Sequence, residues 1–97
     1  MYARLTTIVF GESEEYEPET IFRNVIPSIE ELGGFKGMIV LSGLDERAFI
    51  ALTLWDSNEA LAAAEPVLEG LKRGETAYRQ VETIETSRYY VAGSRLR

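Results

Sequence analysis

Two consecutive segments of this chain are apolar on both faces, and this pattern limits the folds open to it. Between Phe35 and Trp55, two predicted strands flank a hairpin turn at Gly43–Glu46. Alternate residues of a strand face opposite sides, yet neither side of these strands is polar. In the first strand, Met38 and Val40 face one way and Ile39 and Leu41 the other; in the second, Ile50, Leu52 and Leu54 lie opposite Phe49, Ala51 and Trp55. A chain of 97 residues with two helical segments can cover only one face of such a sheet.

The remaining segments predict the rest of the fold. Alternation over Tyr2–Phe10 indicates strand one, and an apolar stripe from Pro18 to about Leu32 indicates helix one. Val81–Ala92 is predicted as strand four. The order strand, helix, strand, strand, helix, strand predicts an α+β, ferredoxin-like β-α-β-β-α-β fold. In it, two helices pack on one face of a four-stranded antiparallel sheet.

The second helix is expected to begin at Asp56 or Ser57 and to close at Gly74. With Asp56 as cap, Glu59 follows three residues later, as in a capping box. Pro66 is expected to kink or restart this helix, and Pro27 to kink helix one. The predicted buried face of helix two consists of Ala60, Leu61, Ala64, Val67, Leu68 and Leu71.

The uncovered sheet face predicts a homodimer. Four strands about 4.8 Å apart give a face of roughly 400 Å² in projection, which is large for an apolar patch on a monomer. Covering it on two subunits is worth on the order of 20 kcal/mol before the entropy of association. We therefore expect two copies of the chain to pack sheet face to sheet face.

Composition excludes several kinds of chemistry. The net charge of -6 and the scattered basic residues argue against binding nucleic acid. Without cysteine or histidine there is no thiolate, no imidazole acid–base group and no zinc-type site, so we expect neither a metal nor a cofactor. No run approaches the ~18 apolar residues of a membrane helix, and no signal peptide is evident, so we expect a soluble cytoplasmic protein.

Four passages carry a resemblance to a known family. The start MYARLTT, the segments IPSIEELGGFKG and ALTLWDSNEAL, and the late tyrosine-rich strand resemble the antibiotic-biosynthesis monooxygenase-like (ABM) family of the dimeric α+β barrel superfamily. The resemblance covers nearly the whole chain and implies one ABM-like domain over residues 1–97. It also implies a homodimer whose sheets pack into a barrel, with a pocket between sheet and helices in each subunit.

The chemistry implied by this family varies. Some members oxygenate phenols, quinols or anthrones without a cofactor, some degrade haem, and many have no assigned activity. The haem-degrading members use a helix-two histidine, whereas this chain offers Ala62, Ala63 and Ala64 there. The resemblance therefore leaves two hypotheses. One is a non-catalytic dimer that binds a small apolar or aromatic ligand, which we favour because no acid–base residue stands out, and the other is a cofactor-independent monooxygenase.

The candidate catalytic residues are Arg4, Trp55, Tyr78 and Tyr89, and the candidate ligand-binding residues are Arg4, Asn24, Trp55 and Tyr89. Arg4 lies in an otherwise apolar strand, where it would hold an anion, snorkel from an edge or pair across the dimer. Trp55 would stack on a ligand or, as we favour, anchor the core. Because adjacent strand residues face opposite ways, only one of Tyr89 and Tyr90 can serve a given pocket.

Overall fold

The computed structural model describes residues 1–97, and it has the predicted order of elements. The strands are β1 (Tyr2–Phe10), β2 (Phe35–Ser42), β3 (Ala48–Trp55) and β4 (Val81–Tyr90), and the helices are α1 (Pro18–Glu30) and α2 (Asn58–Thr76). All strand pairs are antiparallel, in the sheet order β2-β3-β1-β4. β1 and β3 are therefore central, and β2 and β4 form the edges. None of the helices is long and apolar enough to cross a membrane.

Both helices lie on one face of the sheet, and the other face is bare. The register pairs Leu5 of β1 with Leu52 of β3, and Leu52 with Ile39 of β2, so these three side chains share the bare face. Ile39 and Leu41 are exposed there by 44% and 52%. Thr83, Glu85 and Ser87 make the β4 edge of this face polar. The bare face is thus apolar over three strands and polar at one edge.

The core between the sheet and the helices consists of two separate clusters. The larger cluster contains Val25, Ile29, Trp55, Leu61, Ala64 and Leu68. The smaller contains Ile8, Phe10, Ile21 and Phe49. Trp55 is fully buried in the larger cluster, and its ring meets Phe35 edge-on at 5.6 Å between centroids. This placement agrees with the core-anchor interpretation of Trp55.

Helix α2 begins after Ser57, one of the two predicted caps, and ends later than predicted. Its N-cap is Ser57, whose Oγ accepts a hydrogen bond from the Ala60 amide at 3.1 Å, so the capping box of Asp56 and Glu59 does not form. The helix also continues past Gly74 to Thr76, because Gly74 does not have the positive φ of a terminating glycine. Val67, predicted to be buried, is 37% exposed.

The two internal prolines do not interrupt their helices. Helix α1 runs through Pro27 and α2 runs through Pro66. A proline deprives the carbonyl four residues earlier of its donor, at Arg23 in α1 and Ala62 in α2. Both prolines and both of those residues are exposed to solvent. Water can therefore satisfy the two carbonyls, which explains why no restart of α2 is needed.

Candidate functional site

A cavity lies between the helices and the sheet and is lined by residues of both core clusters. Its volume is about 60 Å³. Its apolar lining comes from β1, β2, β3 and both helices: Ile8, Phe10, Ile21, Val25, Met38, Phe49, Ala51, Leu68 and Leu71. The polar lining is limited to Arg4, Thr6, Lys72 and Glu75. The cavity is therefore an apolar chamber with one polar wall.

Arg4 is the centre of the polar wall. It lies on β1, a central strand, and is only 5% exposed. Its Nε is 3.1 Å from Oε1 of Glu65, and its Nη2 is 2.8 Å from Oε1 of Glu69. Glu65 and Glu69 stand one turn apart on α2 and so face the sheet together. Arg4 therefore does not snorkel from a sheet edge. Its charge is paired within its own chain by two carboxylates of α2.

Lys72 and two threonines extend the wall towards β4. Lys72 Nζ donates to Glu69 at 2.9 Å and to Thr86 Oγ1 at 3.3 Å. Arg4 Nη1 donates to Thr6 Oγ1 at 3.1 Å, and the Thr6 and Thr86 hydroxyls are 3.0 Å apart. Apart from Glu75, the wall is one continuous hydrogen-bonded network that joins β1, β4 and α2.

This network shifts the pKa of one carboxyl group. The hydrogen bond from Lys72 lowers the pKa of Glu69, and the positive charges of Lys72 and Arg4 act in the same direction. Partial desolvation opposes them but does not cancel them. Glu69 therefore stays ionised at neutral pH and balances positive charge in the wall.

The loop between β1 and α1, residues 11–17, packs against Phe10, one of the residues that line the cavity. Tyr16 of this loop stacks on Phe10 with ring centroids 4.2 Å apart, and the Arg79 guanidinium lies 5.9 Å from the centre of the Phe10 ring. Arg79 is 3.7 Å from a carboxylate oxygen of Glu14, and Arg47 donates to the carbonyl of Gly11 at 2.9 Å. The acidic loop is thus fixed by two arginines.

Of the residues singled out from sequence, the structure places Arg4 alone at the cavity. Trp55 belongs to the larger core cluster and donates its indole N–H to Thr53 at 2.9 Å. Asn24 is exposed on α1, and Tyr78 follows α2 with 97% exposure. Tyr89 pairs with Ala3 on the bare sheet face, and Tyr90 pairs with Tyr2 on the helix side. The five candidates therefore do not converge on one point.

Several cavity residues were missed by sequence reasoning, namely Thr6, Lys72 and Glu75. Thr6 carried a detectable signal, since a polar residue two positions after Arg4 shares its face of the strand. Lys72 and Glu75 had none, because charged residues on a helix are usually exposed.

No protein-family model matches the sequence, and no curated protein matches it. Solved structures do match the fold over nearly the whole chain. SnoaB, a cofactor-independent oxygenase from Streptomyces nogalater, is 14% identical with a TM-score of 0.71, covering 96% of this chain and 94% of that one. This is the fold of structures described as antibiotic biosynthesis monooxygenases.

Two further structures of this fold contain ligands. The Streptomyces coelicolor monooxygenase from the gene ActVA-Orf6, in complex with nanaomycin D, is 17% identical with a TM-score of 0.70, covering 99% of this chain and 91% of that one. A MhuD variant with two manganese protoporphyrin IX molecules per active site is 21% identical with a TM-score of 0.73, covering 97% of each chain. At these identities the likeness establishes the fold alone.

Proposed function

We propose that this chain forms a homodimer through the bare faces of its sheets, and that each subunit binds a small apolar or aromatic molecule in the cavity. The observation that carries the ligand proposal is the cavity itself, with nine apolar residues and one polar wall. Small-molecule sites commonly combine apolar lining with a few fixed polar groups. The nanaomycin D complex supports the proposal, because that monooxygenase holds an organic ligand in the same fold.

The volume of the cavity limits the ligand. Small-molecule sites usually measure ~300–1,000 Å³, and an engineered cavity of ~150 Å³ holds benzene. At about 60 Å³, this cavity must widen even for a single ring. Met38, Leu71 and Lys72 line it and are only half-buried, so their side chains can move at low cost. A one-ring ligand is therefore the first candidate.

The dimer proposal is supported by the bare face of the sheet. Leu5, Ile39, Leu41, Ile50, Leu52 and Leu54 all lie on it. No helix of the chain reaches this face, whereas a second copy offers an identical apolar surface. A two-fold interface of this kind is self-complementary. Glu85 and the polar residues of β4 would then lie at the rim, where charged groups can stay in water.

Titration calorimetry with p-cresol, a single-ring phenol, tests the ligand proposal. The wild-type protein should bind p-cresol with one site per subunit. Ala51→Leu fills the cavity from β3 and should weaken binding at least about tenfold, corresponding to ~1.4 kcal/mol. Ala62→Leu, on the exposed side of α2, is the matched control and should bind as wild type does. Equal binding by both variants would place the ligand elsewhere.

A cofactor-independent monooxygenase is the second candidate function. The observation that favours it is the fold shared with SnoaB. In this role the cavity would hold a phenol, quinol or anthrone that itself reduces O₂, with Arg4 as the candidate residue in contact with the substrate. Oxygen uptake on a panel of quinols and anthrones tests this candidate. Consumption lost in Ala51→Leu but kept in Ala62→Leu would support it, and no consumption across the panel would contradict it.

A further inference from the structure

We propose that small molecules reach the cavity through a portal between α2 and the edge strand β4, and that the side chain of Lys72 is the gate of this portal. The portal is bounded by Lys72 and Glu75 on α2 and by Ile84 and Thr86 on β4. This inference rests on the proposed ligand-binding function and adds the route of access to the same cavity.

The helical layer ends above β1 and leaves the helix side of β4 uncovered. Ile8 of β1 lines the cavity and is 4% exposed, whereas Ile84, its direct partner on β4, is 40% exposed. Arg88 and Tyr90, further along the same side of β4, are also exposed. Neighbouring strands of a sheet are ~4.8 Å apart. Solvent therefore reaches the sheet one strand away from the floor of the cavity.

The wall of the cavity on this side consists of long, half-buried side chains. The lining residues of α1, Ile21 and Val25, are buried, and so is Leu68 of α2. In contrast, Lys72 and Glu75 of α2 line the cavity and are only half-buried. They lie three residues apart on the helix, so they face in the same direction. Two flexible side chains therefore separate the cavity from solvent beside β4.

The side chain of Lys72 spans the portal. Its Nζ donates to Glu69 at 2.9 Å on its own helix and to Thr86 Oγ1 at 3.3 Å on β4. The other side-chain hydrogen bond between α2 and β4, from Arg88 to Asn58 at 3.1 Å, lies at the start of α2 and away from the cavity lining. Opening the portal thus breaks one long hydrogen bond, while Glu69 still pairs the charge of the lysine. Because the lysine stem is flexible, it can swing aside without movement of α2.

A single engineered thiol measures access to the cavity. The chain has no cysteine, so Ala51→Cys places one thiol in the cavity lining from β3. Mass spectrometry measures its rate of reaction with iodoacetamide, a small neutral reagent. Thr86→Val removes the acceptor of Lys72 without changing the lining, and we expect it to raise this rate at least about threefold. Ile84→Trp fills the portal from β4 and should lower the rate by a similar factor.

Two controls in the same Ala51→Cys background separate the portal from other routes. Ser42→Trp is the matched substitution on the opposite edge strand, on the helix side of β2, and should leave the rate unchanged. Gly34→Ala should destabilise the fold, because its Cβ would collide with the start of α2, and should also leave the rate unchanged. Slowing by Ser42→Trp with no effect of Ile84→Trp would place the entrance at β2 and overturn the inference. Acceleration by Gly34→Ala as large as that by Thr86→Val would also overturn it, since the thiol would then react through unfolding.

The reaction of the thiol needs no bound ligand, so the portal and the ligand proposal can fail separately. Binding of p-cresol by the wild-type protein, with no change of the thiol rate in either portal variant, would overturn the portal alone. The expected changes of the thiol rate in a protein that does not bind p-cresol would support the portal and contradict the ligand proposal.

Discussion

The indole N–H of Trp55 depends on a single neighbouring hydroxyl. Trp55 and Thr53 are both buried, and the hydrogen bond between them measures 2.9 Å. Thr53→Val keeps the shape of the side chain but leaves the indole N–H without an acceptor, so we expect a loss of about 1–3 kcal/mol in the free energy of unfolding. Urea denaturation measures this change in the free energy of unfolding. Thr53→Ser retains the hydroxyl and should lose less, and equal losses in both variants would refute the hydrogen-bond explanation.

Glu69 should make stability depend on pH in the acid range. Its pKa is lower in the folded protein than in the unfolded chain, so its contribution is present above the unfolded value of about 4.3. The contribution is lost as the pH falls through the folded pKa. We therefore expect wild-type protein to be more stable than Glu69→Gln at pH 7, with the difference shrinking as the pH falls below about 4. A difference independent of pH in urea denaturation would contradict this assignment.

Arg4 illustrates how far single residues can be interpreted from sequence. Its position in an apolar strand marked it as unusual, and the structure places it at the cavity. Its partners could not be identified, because Glu65 and Glu69 are 61 and 65 residues away in the chain. Nothing local distinguishes those two carboxylates from the other acidic residues on α2. The charge balance of the site therefore required the packing of α2 on β1.

At the scale of elements, Gly34 lies between α1 and β2 in the chain and packs against the start of α2. Gly34 has φ of +81°, and its carbonyl accepts from the Asp56 amide at 2.9 Å. A Cβ at this position would lie 2.6 Å from Asp56 Oδ1 and would also collide with Ala60. We expect Gly34→Ala to lower the free energy of unfolding by at least about 1–3 kcal/mol.

Gly33 is the matched control for this substitution. A Cβ on Gly33 would contact nothing within 4 Å, and its φ is not positive. Gly33→Ala should therefore change stability by less than about 1 kcal/mol in the same urea titration. Equal losses in the two variants would show that the connection tolerates no side chain at either position, independent of φ or contact with α2.

The elements themselves were largely predictable, and their ends were less so. Periodicity located β1 at Tyr2–Phe10 and the start of α1 at Pro18, because strand and helix spacings differ clearly. The end of α2 was predicted at Gly74 but lies at Thr76, and β4 ends at Tyr90 and not at Ala92. A glycine ends a helix only where its φ is positive. A helix can contain a proline where water reaches the carbonyl that the proline leaves without a donor. Those conditions are set by tertiary packing.

At the scale of the whole molecule, the bare sheet face predicts association in solution. Light scattering at micromolar concentration should give twice the chain mass of 10.9 kDa. Leu52 lies on this face in the central strand β3, so Leu52→Glu would place two buried carboxylates in the interface and should give the single-chain mass. Val67→Glu, an exposed apolar position on α2, is the control and should remain a dimer. A wild-type mass of one chain would refute the dimer.

The location of a bound ligand tests the central claim most directly. In NMR spectra of the protein saturated with p-cresol, we expect intermolecular nuclear Overhauser effects from the ring protons of the ligand to methyl groups of Ile8, Val25 and Leu71. These residues line the cavity from β1, α1 and α2. Contacts confined to Ile39, Ile50 or Leu52, on the bare sheet face, would show that the ligand binds outside the cavity and would contradict the account.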